Sequence, residues 1–366
     1  MKPELCTIAS HFRFQGEFLD AEMIPAGHIN DTYVARFCTG DGKIHRYLLQ
    51  RINLDVFRAP EKVVENIERI TAHLRRKIIA AGGDPERETL RLVPTLYGKH
   101  LHRSPDGEYW RAAIFIERAQ TYDRVQDLEH AYNVALAFGR FQRLVSDFPV
   151  HQLHHTIPDF HYTPKRVSAL GQAAQRDVKN RARSVRDEIE FVERRAKEAW
   201  TLVDLRAEGQ LPERVTHNDT KVNNVMIDDE TGRGICVIDL DTVMPGLSLY
   251  DFGDAIRSGA NPAAEDERHL AQVTIDLDIF ERFVAGYLDA ARDFLTPLEI
   301  DLLPLSAKLM TLECGMRFLT DHLNGDVYFR IQRENHNLDR CRTQFKMVRD
   351  METHYEEMVR LVERYR

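Results

Sequence analysis

Residues 215–224 read Val-Thr-His-Asn-Asp-Thr-Lys-Val-Asn-Asn, and this polar stretch decides how the 366-residue chain folds. It is followed by two apolar runs, residues 225–227 and 235–238, which flank the polar turn at residues 228–232. Apolar runs on both sides of a short turn that contains glycine are typical of a β-hairpin. Directly after the hairpin, residues 239–241 read Asp-Leu-Asp. The sequence therefore predicts a polar loop, a hairpin and an acidic segment in immediate succession.

The spacing within this stretch suits phosphoryl transfer. It matches H-x-D-x-x-x-x-N, with Asp219 as the acid and Asn224 as the amide. Transfer from ATP needs a carboxylate near the acceptor hydroxyl and oxygen ligands for Mg²⁺. We interpret Asp219 as the candidate base, and Asn224 and Asp239 as candidate metal ligands, since kinases place a second metal carboxylate after such a hairpin. Lys221 would offset negative charge on the transferred phosphoryl group.

The same residue types also occur in ordinary turns and helix caps, so an isolated match would indicate only a polar loop. The context favours the functional interpretation, because the motif precedes a hairpin that ends in Asp239. His217 is expected to brace the loop by hydrogen bonding rather than to transfer a proton. A lone lysine such as Lys221 is usually solvated, which keeps its catalytic role a hypothesis.

The first third of the chain alternates apolar and polar residues as strands do. Residues 32–37 and 47–51 predict two strands joined by the turn at 39–42, and residues 91–96 and 109–116 predict a second antiparallel pair. One helix is predicted between the pairs, because apolar side chains recur there at every third or fourth position. These side chains are Val63, Ile67, Ile70 and Leu74.

After residue 121 the pattern becomes helical. Four apolar side chains have helical spacing, and charged helices are predicted from about residue 165 to 205 and again towards residue 366. The four are Val134, Phe138, Phe141 and Val145. A single core rarely exceeds roughly 250–300 residues, so two lobes are expected. We predict an α+β fold in which a small antiparallel β lobe with one helix, residues 1–117, joins a larger mainly α-helical lobe, residues 118–366.

Composition excludes several classes of protein. The 50 Lys and Arg against 58 Asp and Glu give a net charge of −8, which disfavours nucleic acid and anionic lipid as partners. The longest apolar runs, such as residues 112–116, are far shorter than the roughly 20 residues that span a bilayer. No secretory signal is evident at the amino terminus, so we expect a cytoplasmic protein. Five widely spaced cysteines suggest reduced thiols rather than disulfides or a zinc site.

The motifs resemble those of the aminoglycoside phosphotransferase and choline kinase superfamily. These small-molecule kinases are built like protein kinases, but their third motif is Asp-x-Asp, the form of Asp239-Leu240-Asp241. The resemblance implies a bilobal protein-kinase-like fold that uses ATP and Mg²⁺. Residues 1–117 would then form the nucleotide lobe, and residues 118–366 the catalytic and substrate lobe.

Within that superfamily the chain is most similar to the N-acetylhexosamine 1-kinases, which phosphorylate the anomeric hydroxyl of N-acetylglucosamine and N-acetylgalactosamine. Five segments carry this resemblance, and together they span most of the chain. They are residues 27–33, 217–224, 239–246, 251–259 and 317–321. The resemblance implies that a small-molecule sugar is the acceptor, although the sequence does not rank the hexosamines or other sugars.

The β lobe should hold the nucleotide. Gly27 and Asn30 lie between two predicted strands, where a glycine lets the backbone approach phosphates, or where a plain turn would serve equally. Protein kinases hold phosphates with a lysine on the third strand, and the matching strand here offers Arg51. Its acidic partner on the next helix could be Glu65 or Glu68.

The resemblance also implies a hinge and an acceptor pocket. Ile116 and Glu117 would meet adenine through their backbone groups. Thr242, Arg317 and Tyr328 would hold the sugar next to Asp219, since hydroxyl and guanidinium groups bond sugar oxygens and an aromatic ring offers an apolar face.

Three further charged residues near these positions have structural interpretations. Asp321, one helical turn after Arg317, could be the ion-pair partner of that arginine. Asp254 and Arg257 are expected to brace the lobe rather than contact sugar.

Two other functions fit the same residues. A kinase of an amino alcohol or an aminoglycoside would need acidic or aromatic groups around the ammonium, and the acidic residues Glu356, Glu357 and Glu363 leave that possibility open. A catalytically inactive kinase-like binding module is the third alternative, although such a module would have no need for the full set of Asp219, Asn224 and Asp239. The oligomeric state is not indicated by the sequence.

Overall fold

A five-stranded antiparallel sheet forms the first of the two units into which the chain divides. The computed structural model describes residues 3–24 and 29–366. The first unit comprises Met1–Ala119, His151–Ile157 and Ile235–Val243. The second comprises Gln120–Val150, Pro158–Gly234 and Met244–Arg366.

The first unit has two helices and a sheet of strand order β1-β2-β3-β5-β4. Its elements are α1 (Pro3–Ala9), β1 (Glu17–Ile24), β2 (Asp31–Cys38), β3 (Ile44–Arg51), α2 (Pro60–Ala80), β4 (His102–Arg103) and β5 (Tyr109–Ile114). The predicted hairpin is therefore confirmed as β2 and β3. The predicted helix is confirmed as α2, and all four apolar side chains that predicted it are buried.

One face of this sheet carries the apolar core of the unit. Alternate residues of neighbouring strands, such as Tyr33, Ala35, Leu49 and Ala112, are buried together. Helix α1 adds Leu5 and Ile8 to the same cluster, which also contains Phe12 and Trp110. Because side chains alternate between the faces of a strand, the residues in between, such as Thr32, Gln50 and Arg111, lie on the opposite face.

The predicted strand at residues 91–96 is wrong. Leu92 and Thr95 each form a single isolated bridge, to Ala113 and Phe12, and no continuous ladder develops. Pro94 lies between them and has no backbone N–H to donate, which prevents a regular strand there. Strand β5 pairs instead with β3 and with the two-residue strand β4.

The second unit is mainly helical. Its elements are α3 (Leu128–Val145), α4 (Thr163–Arg176), α5 (Arg186–Glu193), α6 (Thr201–Ala207), β7 (Arg214–Thr216), β8 (Val225–Asp228), β10 (Met244–Gly246), α7 (Ser248–Gly259), α8 (Leu277–Ala291), α9 (Pro297–Asp301), α10 (Leu303–Asn324), α11 (His336–Thr353) and α12 (Tyr355–Tyr365). The chain passes from one unit to the other within the short strands β6 (Ala119–Gln120) and β9 (Gly234–Val237). The predicted strands of the hairpin after residue 224 are confirmed as β8 and β9.

The helix predicted around residues 134–145 is confirmed as α3, but the long helices predicted for residues 165–205 are broken into shorter ones. The four apolar side chains that predicted α3 are all buried. The predicted long charged helices are instead α4, α5 and α6, separated by single 3₁₀ turns. Helix α4 ends at Asp177, whose φ of 37° is left-handed and terminates the helix. The α+β class, with one sheet unit and one larger helical unit, is confirmed.

Helices α7 and α10 approach each other closely at a glycine. A Cβ atom added at Gly253 would lie 2.4 Å from the backbone oxygen of Ser306 and 2.5 Å from Cγ of Met310. No side chain fits at that distance without a shift of the helices. No helix among residues 3–24 and 29–366 is long and apolar enough to span a membrane.

We expect Gly253→Ala to lower the free energy of unfolding by about 2 kcal/mol or more, because a methyl group must displace the backbone of α10. The matched control is Gly171→Ala in α4, where an added Cβ meets nothing within 4 Å. That substitution should instead stabilise the protein by about 0.5–1 kcal/mol, through helix propensity. Thermal and urea unfolding of both variants measure the difference, and equal stabilities would contradict the packing argument.

Candidate active site

The loop that carries Asp219 is anchored at its start by a two-stranded ribbon. Strand β7 pairs antiparallel with β10, with Thr216 opposite Met244. Thr216 Oγ1 donates to the Met244 carbonyl at 3.0 Å. The chain then turns sharply at Asn218, whose φ of 66° is left-handed. Asn tolerates this conformation better than most residues, which explains its place in the motif.

The carboxylate of Asp251 accepts hydrogen bonds from the backbone of this turn. Its Oδ2 accepts the His217 N–H at 2.9 Å and its Oδ1 accepts the Asn218 N–H at 2.7 Å. The side-chain amide of Gln142 donates to the same carboxylate, and Thr220 Oγ1 donates to the Asp251 carbonyl at 2.5 Å. Burial raises the pKa of Asp251, and these hydrogen bonds oppose the rise. Asp251, the first residue of the 251–259 motif, therefore supports the loop that carries Asp219.

His217 braces the loop, as its sequence position suggested. The side chain is fully buried and lies edge-on to Phe138 and Phe141, with ring centroids 6.0 and 5.9 Å away. Its Nδ1 accepts the backbone N–H of Asp219 at 3.3 Å. The ring thereby fixes the backbone of Asp219.

Asp219, Lys221 and Asn224 lie together beyond this turn. Lys221 Nζ is 2.9 Å from Asp219 Oδ1 and 3.1 Å from Oδ2. Asn224 Nδ2 donates to the Asp219 carbonyl at 2.8 Å. This bond engages the amide nitrogen of Asn224, and the side chain also carries Oδ1, the type of atom that Mg²⁺ prefers as a ligand. The donor chemistry at this position therefore fits a magnesium ligand.

Lys221 also controls the charge of Asp219. Partial burial alone would raise the pKa of Asp219, but the charge and hydrogen bond of Lys221 lower it below its ordinary value. The Asp219 side chain remains 25% exposed and that of Lys221 41% exposed, so water weakens the attraction between the two charges. Asp219 is thus held ionised, ready to accept a hydrogen bond from an acceptor hydroxyl.

Asp254 and Arg257 brace α7, as expected. Arg257 Nε donates to Asp254 Oδ1 at 2.6 Å, and both side chains are buried. Nη1 of the same arginine is 3.2 Å from Glu265. The pair is engaged within the protein and ties α7 to the loop that follows it.

Arg317 on α10 lies between two aromatic rings. Its guanidinium carbon is 5.1 Å from the ring centroid of Phe160 and 5.5 Å from that of Phe329, which are cation–π distances. Asp219 and Tyr328 both raise the pKa of Arg317 against the effect of burial, so the charges are within electrostatic reach of each other. The structure thus brings Arg317 and Tyr328 to the same region as Asp219.

Asp321 is not the partner of Arg317. Its carboxylate accepts the backbone N–H groups of Val327, Tyr328 and Phe329 at 3.0, 2.9 and 3.0 Å, and Asn337 Nδ2 at 2.9 Å. Asp321 therefore shapes the loop that presents Tyr328 and Phe329. Helical spacing puts Asp321 one turn after Arg317, but the Asp321 carboxylate is engaged by these three backbone amides and by Asn337.

Sequence reasoning missed a buried network beside the catalytic loop. His161 approaches the Asn218 carbonyl with Nε2 at 2.9 Å and Glu313 with Nδ1 at 2.8 Å. Thr163 Oγ1 donates to the other Glu313 oxygen at 2.7 Å. Burial would raise the pKa of Glu313, but His161 and Thr163 hold it below its ordinary value. These residues lie too far from Asn218 in sequence for any local spacing to predict the contact.

Arg166 is a second cation of this region that the sequence did not indicate. Its Nη2 donates to the Phe160 carbonyl at 2.6 Å, which fixes the segment that stacks under Arg317. Burial and the positive charge of Arg317 both lower the pKa of Arg166. The two guanidinium groups are therefore close enough to repel each other.

The other acidic motif residues lie in the first unit. Asp239 has a left-handed φ of 59° and precedes a single 3₁₀ turn, Leu240–Thr242. Asp241 is buried and forms an ion pair with Arg111 of β5. Thr242, assigned above to the sugar pocket, is also buried in this turn.

Arg51 pairs with carboxylates of its own sheet. It contacts Asp31 on β2 and lies 3.4 Å from Glu108 next to β5. Neither glutamate of α2 reaches it, since Glu65 bonds Arg69 and His154, and Glu68 bonds His100. The acidic partner of Arg51 is therefore neither Glu65 nor Glu68.

The hinge segment follows β5. Ile116 is buried. The Glu117 side chain pairs with Arg46, and its carbonyl accepts Arg87 Nη2 at 3.2 Å. Asn30 hydrogen-bonds Asp241 and Asn53 within the unit. Gly27 lies outside the described residues.

Comparison with solved structures defines the class. An aminoglycoside phosphotransferase from Alicyclobacillus acidocaldarius aligns over 100% of this chain and 97% of its own, with a TM-score of 0.63 and 14% identity. A spectinomycin phosphotransferase solved with ADP and spectinomycin gives 0.60 at 13% identity, covering 97% and 98%. A choline kinase from Cryptosporidium parvum gives 0.57 at 15% identity, covering 98% of both chains. The fold is thus the bilobal, protein-kinase-like fold of small-molecule phosphotransferases.

The family itself is established by sequence. Residues 20–294 match the model of the phosphotransferase enzyme family named APH, and the chain belongs to that family. The match includes residues 215–224, the Asp-x-Asp segment and the 251–259 motif.

We expect Lys221→Met to raise the pKa of Asp219, because burial then acts without the compensating cation. Carbon-13 NMR titration of the Asp219 carboxyl, assigned with Asp219→Asn, measures the shift directly. The control is Lys165→Met, which removes an exposed lysine paired to Asp159 in the same unit and should leave the titration unchanged. An unaltered Asp219 titration in Lys221→Met would show that the ion pair does not set its charge.

Proposed function

We propose that this protein is an ATP- and Mg²⁺-dependent kinase that phosphorylates the anomeric hydroxyl of N-acetylglucosamine or N-acetylgalactosamine. Asp219 orients or deprotonates that hydroxyl, and Lys221 offsets charge on the transferred phosphoryl group. Asn224 and Asp239 would hold Mg²⁺ through oxygen ligands, and the bound ion would offset negative charge on the phosphates. No group of three or more His, Cys, Asp or Glu suited to a metal occurs in the described part of the chain, so nucleotide oxygens would complete the coordination.

The nucleotide would occupy the first unit. Ile116 and Glu117 would meet adenine, and Arg51 would bind the phosphates in place of a lysine, while the sequence assigns Gly27 to phosphate approach as well. Arg51 can clamp phosphate in a bidentate way, but it must share its charge with Asp31 and Glu108. ATP as donor is supported by the family, whose site is built for phosphoryl transfer.

The acceptor assignment rests on one observation, the positively charged Arg317 within electrostatic reach of Asp219. Arg317 is within electrostatic reach of Asp219 and of Arg166, and its guanidinium group lies near the rings of Phe160 and Phe329. Such a group can donate to the hydroxyl and acetamido oxygens of a neutral sugar. Tyr328, 51% exposed, offers a ring against the apolar face of a sugar.

The same charges disfavour an amino alcohol or aminoglycoside. A cationic acceptor would be repelled by Arg317 and Arg166, and Glu313, the buried acid of this region, is committed to His161 and Thr163. Glu356, Glu357 and Glu363 lie on the exposed side of α12. An inactive binding module is disfavoured because the Asp219, Lys221 and Asn224 geometry is intact.

The direct test incubates the protein with Mg-ATP and a panel of sugars, amino alcohols and aminoglycosides, and locates the new phosphate by phosphorus NMR. We expect a sugar 1-phosphate from N-acetylglucosamine or N-acetylgalactosamine. The methyl glycoside of the same sugar is the matched control, since it keeps the shape but blocks the anomeric oxygen. Phosphorylation of the glycoside at the rate of the free sugar would refute anomeric transfer.

Arg317→Met should lower kcat/KM for the sugar by about 10–100-fold, because a charge-assisted hydrogen bond to the acceptor is lost. The KM for ATP should change far less. Arg349→Met is the matched control, because Arg349 also lies over an aromatic ring, 4.9 Å from the Phe191 centroid. Equal sugar kinetics in both variants would remove Arg317 from the acceptor pocket.

A further inference from the structure

A row of hydrogen-bonded polar side chains crosses the sheet of the first unit. Thr32 on β2 stands opposite Gln50 on β3, which stands opposite Arg111 on β5. Gln50 Nε2 donates to Thr32 Oγ1 at 3.0 Å, and Arg111 Nε donates to Gln50 Oε1 at 3.0 Å. The side chain of Arg111 is thereby fixed from one side.

The row continues into the Asp-x-Asp segment. Arg111 Nη1 contacts Asp241 Oδ1, and Asn30 Nδ2 donates to Asp241 Oδ2 at 2.6 Å. Asn30 Oδ1 in turn accepts the backbone N–H of Asn53 at 2.9 Å. We name Thr32, Gln50, Arg111, Asp241 and Asn30 the polar row. Its central ion pair is buried, with the Arg111 and Asp241 side chains only 5% and 3% exposed, so removal of either partner would leave a buried charge unpaired.

The backbone around Asp241 is held as well. Thr156 Oγ1 donates to the Asp241 carbonyl at 3.3 Å, and Asn66 Nδ2 of α2 donates to the Val243 carbonyl at 2.9 Å. Asp239, two residues before Asp241, has the left-handed φ of 59°. A residue keeps such a conformation only when its surroundings impose it. The contacts at Asp241 and Val243 help to constrain this segment.

Protein kinases anchor the same region differently. There a lysine of the third strand pairs with a glutamate of the following helix. In this chain Gln50 lies on the third strand, and α2 presents Asn66 as the buried polar residue that bonds the segment. The buried cation comes from β5 as Arg111, and its carboxylate comes from the Asp-x-Asp segment itself.

We propose that the polar row is a positioning network that aims Asp239 at the nucleotide-bound metal. This inference rests on the proposed function, because Asp239 ligates a metal only if the protein is a kinase. Arg111 and Asn30 act through Asp241, so they are positioning residues and do not touch the reacting atoms. The proposal also reassigns Asn30 from nucleotide contact to support of the metal ligand.

The test measures Mn²⁺ affinity in the ADP complex by electron paramagnetic resonance. Arg111→Lys and Asn30→Ala should each weaken Mn²⁺ binding by on the order of tenfold, the lower end of the effect of outer partners on metal affinity. ADP affinity in EDTA, measured by calorimetry, should stay at the wild-type value. The matched control is Arg36→Lys, which alters an exposed Arg–Asp pair on the same sheet and should change neither quantity.

The outcomes separate this inference from the proposed function. Wild-type Mn²⁺ affinity in both variants, with a loss in Asp239→Asn, would overturn the inference and leave the kinase assignment intact. No loss in Asp239→Asn would overturn the metal assignment and this inference together. Weaker ADP binding in EDTA for Asn30→Ala would return Asn30 to direct nucleotide contact. If Arg111→Lys does not fold, Gln50→Met interrupts the row at a neutral member, and unchanged Mn²⁺ affinity there would equally contradict the proposal.

Discussion

The buried carboxylate of Asp251 is the constraint on which the candidate site depends. It receives the backbone N–H groups of His217 and Asn218, at the point where the chain enters a left-handed turn. Without a strong acceptor at this place, two buried N–H groups would lose their partners, a cost of about 1–3 kcal/mol each. The position of Asp219, one residue further along, follows from that turn. Gly253 lets the same helix lie against α10. One short motif therefore both supports the turn at Asn218 and allows the two helices to pack closely.

The sequence predicted those features that depend on local spacing. The hairpins, helix α2 and helix α3 followed from apolar periodicity, and Asp219, Lys221 and Asn224 were found because they fall within six residues of one another. Contacts between distant segments could not be predicted in this way. His161 with Glu313 and Asp241 with Arg111 join residues more than 100 positions apart, and an isolated His or Arg carries no signal of its partner. The apolar pattern at residues 91–96 predicted a strand that does not form, because Pro94 has no backbone N–H to donate to a neighbouring strand.

Charge placement gives the two units different tasks in the proposed mechanism. Near Asp219 the cations Arg317 and Lys221 suit a neutral acceptor rich in oxygen and a phosphoryl group that gains negative charge. In the first unit, Asp241 neutralises the charge of the buried Arg111, and in our proposal this pair supports the segment that carries Asp239. A cation that is neutralised within the fold keeps its geometry through the reaction, whereas one next to aromatic rings remains able to bind a ligand.

The most direct measurement of the central claim is the turnover of Asp251→Asn with Mg-ATP and N-acetylglucosamine. The substitution keeps the shape but places an amide NH₂ where a backbone N–H now donates, so the turn at Asn218 should relax. We predict a fall in kcat of about 10²-fold or more with nucleotide affinity nearly unchanged, since small displacements of a catalytic group have effects of that size. A folded Asp251→Asn protein with wild-type kcat would contradict the account.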